Sequence, residues 1–172
     1  MSPKSTILAG LYAHTVWLRV KGRGTFQTSA GMKEYTRRMV QRGHREFVID
    51  LAECELMDST FMGTLAGIAL RLREIGSGSL TVLNPNPRNR SLLENLGLDH
   101  LFSFELSEGA CPPPKPAVQQ ALVTPTTDAA VQHDTILSAH EALVEADPEN
   151  EERFKDVLDL LKQESQPNAV DT

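Results

Sequence analysis

Several features that mark common protein classes are scarce in this sequence. Its 172 residues include two cysteines, Cys54 and Cys111. No apolar stretch approaches the roughly 20 residues of a membrane-spanning helix. So few thiols exclude a disulfide framework, and a reducing compartment is the simplest assumption. The N-terminus also lacks the long apolar segment of a secretory signal. These absences predict a soluble, cytoplasmic protein without membrane insertion.

An excess of positive charge is missing as well. The formal net charge is −6, so no strongly basic field is available to neutralise phosphates, and nucleic acid is not expected as a partner. Residues 1–108 carry 13 Lys and Arg against 11 Asp and Glu, whereas residues 109–172 carry 4 against 12. This asymmetry predicts an acidic C-terminal region that is functionally separate from a nearly neutral body.

Residue patterns typical of enzymes are not found. The chain has five histidines, namely His14, His44, His100, His133 and His140. They show neither metal-ligand spacing nor pairing with a nucleophile motif. Cys54 lies between Glu53 and Glu55, whose carboxylates would raise the pKa of its thiol, so an activated cysteine is not expected. The sequence therefore predicts no enzyme activity, no metal site and no cofactor.

The sequence does contain a clear alternation of strand and helix patterns. Apolar and β-branched runs predict strands at residues 7–12, 15–20, 47–51, 80–83 and 101–106. Apolar spacing of three and four predicts helices at residues 29–42, 58–75 and 88–96, the first of them capped by Thr28. This order predicts an α/β fold with a single sheet of four to five mainly parallel strands and helices packed on it. The first two strands are expected to form a hairpin with His14 at its turn.

The C-terminal region has a different character. Prolines over residues 111–116 predict an extended linker at 109–132, which follows a domain at 1–108. Helical spacing then returns and predicts an acidic helical hairpin within residues 133–172, with Asp147-Pro148 starting its second helix. Two roles stay open for this hairpin. It either packs on the body or on a second copy of the chain, or it docks as a tethered element in a partner's groove, which a stiff linker favours.

The junction between the third strand and the second helix holds the candidate functional residues. Asp58, Ser59 and Thr60 stand where the chain enters the helix, whose N-terminus offers unpaired N–H groups and a partial positive charge to an anion or a phosphate. On spacing alone, these three residues are a helix cap. Phe61 begins the apolar face and is predicted to belong to the core. Gly63 and other small residues are predicted to let the helix lie close to the sheet.

This junction and the order of elements resemble the STAS domain, which is the domain of anti-sigma factor antagonists and of sulphate transporter tails. The similar residues are strand 47–51 with its Asp50-Leu51 ending, and the helix opening Asp58-Ser59-Thr60-Phe61-Met62-Gly63. Asn95-Leu96-Gly97-Leu98 also resembles the family's passage from helix to strand, and the resemblance covers residues 7–106. The family pattern is Asp-Ser-Ser/Thr-Gly-Leu-Gly, so Phe61 and Met62 depart from it. Gly22-Arg23-Gly24-Thr25 lacks the Asp that often follows the equivalent glycine.

The resemblance implies a regulator that switches partners. In the family's antagonists the first hydroxyl after the Asp is phosphorylated, which maps to Ser59, with Thr60 as the reserve acceptor. The unphosphorylated protein would bind an anti-sigma factor or a serine/threonine kinase through Asp58, Ser59, Thr60, Phe61 and Met62. The kinase would end binding by phosphorylating Ser59, and a serine phosphatase would reverse the step. The alternative is an adaptor or scaffold subunit of a transport or signalling complex, in which this surface is a fixed docking site without phosphorylation. A homodimer is compatible with both.

Overall fold

A computed structural model describes residues 5–106, 120–121 and 128–165 of the chain. The described strands are β1 (Thr6–Tyr12), β2 (Thr15–Gly24), β3 (Glu46–Asp50), β4 (Cys54–Met57), β5 (Ser79–Leu83), β6 (Ser103–Glu105) and β7 (Gln120–Ala121). The helices are α1 (Phe26–Gln41), α2 (Ser59–Ile75), α3 (Pro87–Asn95), α4 (Ala129–Ala146) and α5 (Asn150–Ser165), and a short 3-10 helix spans Leu98–His100.

The strands form one sheet in the order β6-β5-β3-β2-β1-β7, and β4 pairs with the end of β2. Strands β1 and β2 are antiparallel around a turn at Ala13 and His14, as predicted, whereas β2, β3, β5 and β6 run parallel to one another. The α/β prediction with a mainly parallel sheet, packed helices and a C-terminal helical hairpin is therefore confirmed. Helices must connect the parallel strands, and α2 accordingly carries the chain towards β5.

The core lies between the sheet and helices α1 and α2. Leu18 of β2, Ile49 of β3, and Phe61 and Leu65 of α2 are completely buried in it. Helix α1 contacts β1 and β2, α2 contacts β5, and α4 lies on the other side of these helices against both of them. The molecule thus has a sheet, a first helical layer and an outer helical hairpin. No helix among the described residues is long and apolar enough to cross a membrane.

Two local expectations for the body were wrong. Helix α1 is capped by Thr25 rather than Thr28. Thr28 is the third helical residue, and its hydroxyl accepts a hydrogen bond from the Thr25 N–H at 3.2 Å. Residues 54–57, which lie outside the strands predicted from the sequence, form β4, in which Cys54 and Met57 are buried and Glu55 is exposed. Such a short, acidic segment shows too little periodicity to be recognised, and its pairing with the end of β2 fixes it as a strand.

The hairpin of α4 and α5 packs on the body, which corrects the preference for a freely moving element. Helix α4 begins at Ala129, inside the stretch predicted as linker, and β7 pairs with β1. Most of the predicted linker lies outside the described residues, so its boundaries and those of the domains stay predictions. The apolar side chains Leu143, Leu158 and Leu161 are buried, as expected for a hairpin that covers part of its own surface and part of the body.

Candidate functional site

Asp58 fixes the start of helix α2. Its backbone is extended, and its Oδ1 accepts a hydrogen bond from the N–H of Phe61 at 2.8 Å, which makes it the N-cap. Its Oδ2 accepts a second hydrogen bond, also at 2.8 Å, from the N–H of Phe26, the first residue of α1. One carboxylate therefore ties together the N-termini of both inner helices. This places Ser59 as the first residue of α2, where it is partly exposed.

Phe61 belongs to the core, as predicted. Its side chain is fully buried, and a Cβ atom built at Gly24 would lie 2.6 Å from the ring. Real Cβ atoms are not found so close to another heavy atom, so the end of β2 requires glycine at this position because the ring occupies the space. The departure from the family pattern at Phe61 is thus accommodated by Gly24, a residue that gave no such signal in the sequence.

The other predicted site residues differ in their accessibility. Thr60 and Met62 are each 5% exposed, whereas Asp58 and Ser59 are partly exposed. The Thr60 carbonyl also accepts a hydrogen bond from the Thr64 hydroxyl at 2.8 Å. In this conformation Thr60, Phe61 and Met62 contact the chain itself, so only Asp58 and Ser59 of the five predicted contact residues have side chains within reach of a partner. Their roles in phosphorylation and partner binding stay predictions.

His140 of α4 is the residue that sequence reasoning missed. Its Nε2 lies 3.0 Å from the Ser59 hydroxyl oxygen, and its Nδ1 lies 2.7 Å from the carbonyl oxygen of Ile136. Because a carbonyl only accepts, Nδ1 carries the proton, and Nε2 of the neutral ring accepts the hydrogen bond that Ser59 donates. The ring is 3% exposed and packs edge-on against Phe154 at 5.1 Å. Ser59 and His140 are 81 positions apart, so no local spacing could have paired them.

Helix α4 approaches α2 more closely than side chains of ordinary size would permit. A Cβ atom at Gly63 would overlap the carbonyl oxygen of Ala139, and one at Gly67 would lie 3.7 Å from Ala142. Gly63 therefore makes room for α4, not for the sheet, which corrects the expectation from the sequence. Lys33 of α1 adds a hydrogen bond from its ammonium group to the hydroxyl of Ser138, with 2.8 Å between Nζ and Oγ.

Chemically, this site suits binding and modification better than turnover. Ser59 is a primary hydroxyl at a helix N-terminus, where backbone N–H groups and the helix dipole favour a negative charge. The nearest base, His140, is almost wholly enclosed by the chain's own helices. Among residues 5–106 and 128–165, no cluster of three His, Cys, Asp or Glu side chains is arranged to hold a metal ion.

Comparison with known proteins places this arrangement in a family. The family model described as "Mlab, STAS domain" matches residues 9–106, more than half of the chain. A comparison with curated proteins finds no match. Among solved structures, the crystal structure of TM1081 from Thermotoga maritima, provisionally an anti-sigma factor antagonist, is similar with a TM-score of 0.53 and 17% identity. The alignment covers 56% of this chain and 83% of that one.

A second similar structure is that of SpoIIAA, an anti-sigma factor antagonist, in its unphosphorylated form. The TM-score is 0.51 at 21% identity, and the alignment covers 58% of this chain and 86% of SpoIIAA. At these identities the likeness establishes the fold. Both alignments leave over 40% of this chain without a counterpart, and the family match ends at residue 106, before helices α4 and α5.

Proposed function

The chain belongs to the STAS domain family, and from this premise we propose that it is an anti-sigma factor antagonist controlled by phosphorylation of Ser59. In its unphosphorylated form it binds an anti-sigma factor or a serine/threonine kinase and thereby frees another protein. The kinase transfers the γ-phosphoryl group of ATP to Ser59 Oγ, which loses its proton, and ADP leaves. A serine phosphatase restores the hydroxyl by hydrolysis. The protein itself performs no chemistry in this cycle.

The observation that carries the proposal is the placement of Ser59 by the Asp58 cap. Ser59 is the first residue of α2 and is partly exposed, whereas Thr60 is 5% exposed, so Ser59 is the better acceptor of the two. A phosphate adds about −1.5 to −2 charges at neutral pH. The helix N-terminus stabilises that charge within the chain, while a partner surface packed against it would have to desolvate it.

The test is to isolate the full chain from its native host and to map phosphate by mass spectrometry before and after phosphatase treatment. We expect phosphate on the peptide that contains Ser59, its loss in Ser59→Ala, and its retention in Thr60→Ala. Binding to the kinase encoded in the same organism is measured with Ser59→Asp, and Ser77→Asp, on the exposed turn after α2, is the matched control. If neither Ser59 nor Thr60 carries phosphate and Ser59→Asp binds the kinase as the unmodified chain does, the proposal is wrong.

A second candidate function is a STAS adaptor or scaffold subunit without a phosphorylation cycle. One observation favours it: the Ser59 hydroxyl already donates a hydrogen bond to His140, as a structural serine would. In that case the chain co-purifies with an ATPase of a transport complex rather than with a kinase, and Ser59→Ala binds that complex normally.

A further inference from the structure

Helix α4 lies on the face of the molecule that carries Ser59. Its residues Ser138, Ala139 and His140 contact Lys33, Gly63 and Ser59 in that order, so one helical turn of α4 spans the start of α2 and the adjacent part of α1. Helix α4 of the same chain therefore occupies the surface through which a partner would reach Ser59.

The contact between Ser59 and His140 leaves no room for a phosphoryl group. The two side-chain atoms are 3.0 Å apart, and the imidazole is 3% exposed. Phosphorylation replaces the hydroxyl proton of Ser59 by a phosphorus atom that carries three oxygens. At neutral pH these oxygens are negatively charged and accept hydrogen bonds rather than donate them. The hydrogen bond that Ser59 donates is lost, and the added atoms collide with a ring that is held by Ile136 and Phe154.

The seam between α4 and the inner helices is also suited to opening without unfolding the body. It is formed by small residues at Gly63 and Gly67 and by two side-chain hydrogen bonds, from Lys33 and from Ser59. A cleft of about 220 Å³ remains between α1, α2 and α4. Leu143 of α4 is fully buried and joins the apolar core at this seam, so release of α4 exposes that side chain while the leucine-rich interior between the sheet and the inner helices stays covered.

We propose that the C-terminal hairpin is a lid over the switch surface, and that it and a phosphoryl group on Ser59 exclude each other. The hairpin is closed when Ser59 carries its hydroxyl and is released when Ser59 is phosphorylated. By thermodynamic linkage, closure of the lid makes phosphorylation of Ser59 less favourable at equilibrium to the same degree that the phosphate favours the open lid. Because the unphosphorylated chain is the form that binds its partner in the proposed cycle, the partner competes with the hairpin for the surface around Ser59. This regulation rests on the proposed role of Ser59 as acceptor.

The contact between α4 and α2 is tested by two variants, each of which replaces one glycine of α2 by alanine. Both variants therefore gain the same intrinsic helix propensity. Gly63→Ala overlaps the α4 backbone, whereas Gly67→Ala meets only the Ala142 side chain at normal contact distance. We expect amide hydrogen exchange over α4 to become at least tenfold faster in Gly63→Ala and to stay unchanged or slow down in Gly67→Ala, with β3 protected in both. Unchanged exchange over α4 in Gly63→Ala, or equal acceleration over α4 and β3, overturns the proposal of a separable lid.

A thiol readout keeps this experiment decisive if Gly63→Ala is destabilised. In a Cys111→Ser background, Cys54 is the remaining thiol and is 3% exposed in the body. A released lid leaves Cys54 unreactive toward a thiol reagent while α4 exchanges quickly. Cys54 labelling as fast as α4 exchange means that the whole chain unfolds, and the lid proposal then fails.

The link to phosphorylation is tested with phosphoserine introduced genetically at position 59 of the full chain. Phosphoserine at the exposed position 77 is the matched control. We expect at least tenfold faster exchange over α4 with phosphoserine 59 and none of this effect with phosphoserine 77. If exchange over α4 with phosphoserine 59 is equal to or slower than in the unmodified chain, the closed hairpin and the phosphoryl group do not exclude each other, and the proposal is wrong. This result would follow if the phosphate bound a protonated His140. These results do not depend on whether Ser59 is phosphorylated in the native host, so failure of the lid and failure of the proposed function are distinguishable.

Discussion

The body and the C-terminal hairpin are held in place by different kinds of contact. The body is built around large apolar side chains, such as Leu18, Ile49 and Phe61, which are completely removed from water. The hairpin is joined to it by close approach of small residues, by hydrogen bonds from side chains and by Leu143, the fully buried side chain of α4 that reaches the same core. Hydrophobic stabilisation grows with the apolar area buried, so the body contributes most of the free energy of unfolding.

The attachment of the hairpin is strongest at its turn. Asn150, which is completely buried, donates two hydrogen bonds from its side-chain amide, to the carbonyl oxygens of Leu96 at 2.9 Å and Leu143 at 2.8 Å. Arg153 adds a hydrogen bond to the carbonyl oxygen of Asn95. The turn between α4 and α5 is therefore fixed to the end of α3. In the proposed release, α4 rotates away from Ser59 about this turn. The comparison of the two regions then teaches that a domain can carry a lid whose movement leaves its own core intact.

The largest effect is expected from Phe61→Ala, which removes a core side chain two positions after Ser59. Loss of a buried phenylalanine costs about 3–5 kcal/mol of unfolding free energy, because a cavity is left under Gly24. Urea denaturation followed by circular dichroism measures this loss. We expect α4 and the body to lose exchange protection together, since the support for both is damaged.

Leu160→Ala is the matched control for this substitution, because Leu160 is 57% exposed on α5 and its removal changes stability by at most about 0.5 kcal/mol. A loss below about 1 kcal/mol in Phe61→Ala would mean that the ring is not packed as described, since this is less than the removal of a buried aromatic side chain causes.

Most elements of the body, though not β4, were predictable from the sequence because they carry strong local patterns. The spacing of Phe61, Leu65 and Leu72 predicts one buried face of α2, and these three side chains are indeed in the core. The site was only half predictable. Asp58 and Ser59 are recognisable as a helix start, whereas the contact of Ser59 with His140 depends on how α4 crosses α2, which no local period encodes. The pair Gly63 and Gly67, one turn apart on α2, was the available signal of a close helical neighbour, and it was assigned to the sheet instead.

An intermediate effect is expected from Asn150→Ala, which weakens the hairpin at its fixed end. The substitution leaves two buried carbonyl groups without their donor, at a cost of about 1–3 kcal/mol. This cost falls on the hairpin, so exchange over α4 and α5 should accelerate more than exchange over β3. Hydrogen exchange with mass spectrometry resolves the two regions, and Glu152→Ala, at an exposed position two residues away, serves as the control. Equal acceleration in the body and the hairpin would show that they unfold as one unit.

The smallest effect concerns pH and acts on the body alone. Burial raises the pKa of the Cys54 thiol, and the Glu55 carboxylate raises it further, in the direction expected from the sequence but with burial as the larger cause. The thiol of the unfolded chain ionises at about pH 8.5, whereas the folded chain keeps its thiol neutral to higher pH. The Cys54 thiol therefore makes its full contribution to the free energy of unfolding below the pKa of the unfolded chain. This contribution is lost as the pH rises through the pKa of the folded chain.

We therefore expect the unfolding free energy of a Cys111→Ser chain to fall as the pH rises above about 8.5, the ordinary thiol pKa, and to fall less in the same chain with Cys54→Ala. The partly buried phenol of Tyr35, whose pKa desolvation also raises, contributes equally to both chains and cancels in the difference. Urea midpoints at several pH values measure the slopes. Helices α4 and α5 contain no cysteine. Amide exchange through local opening of α4, once corrected for the intrinsic pH dependence of exchange, should therefore have the same pH dependence in the chains with and without Cys54. Parallel slopes in the two chains would place Cys54 outside the body's cooperative core and weaken the distinction between the two regions.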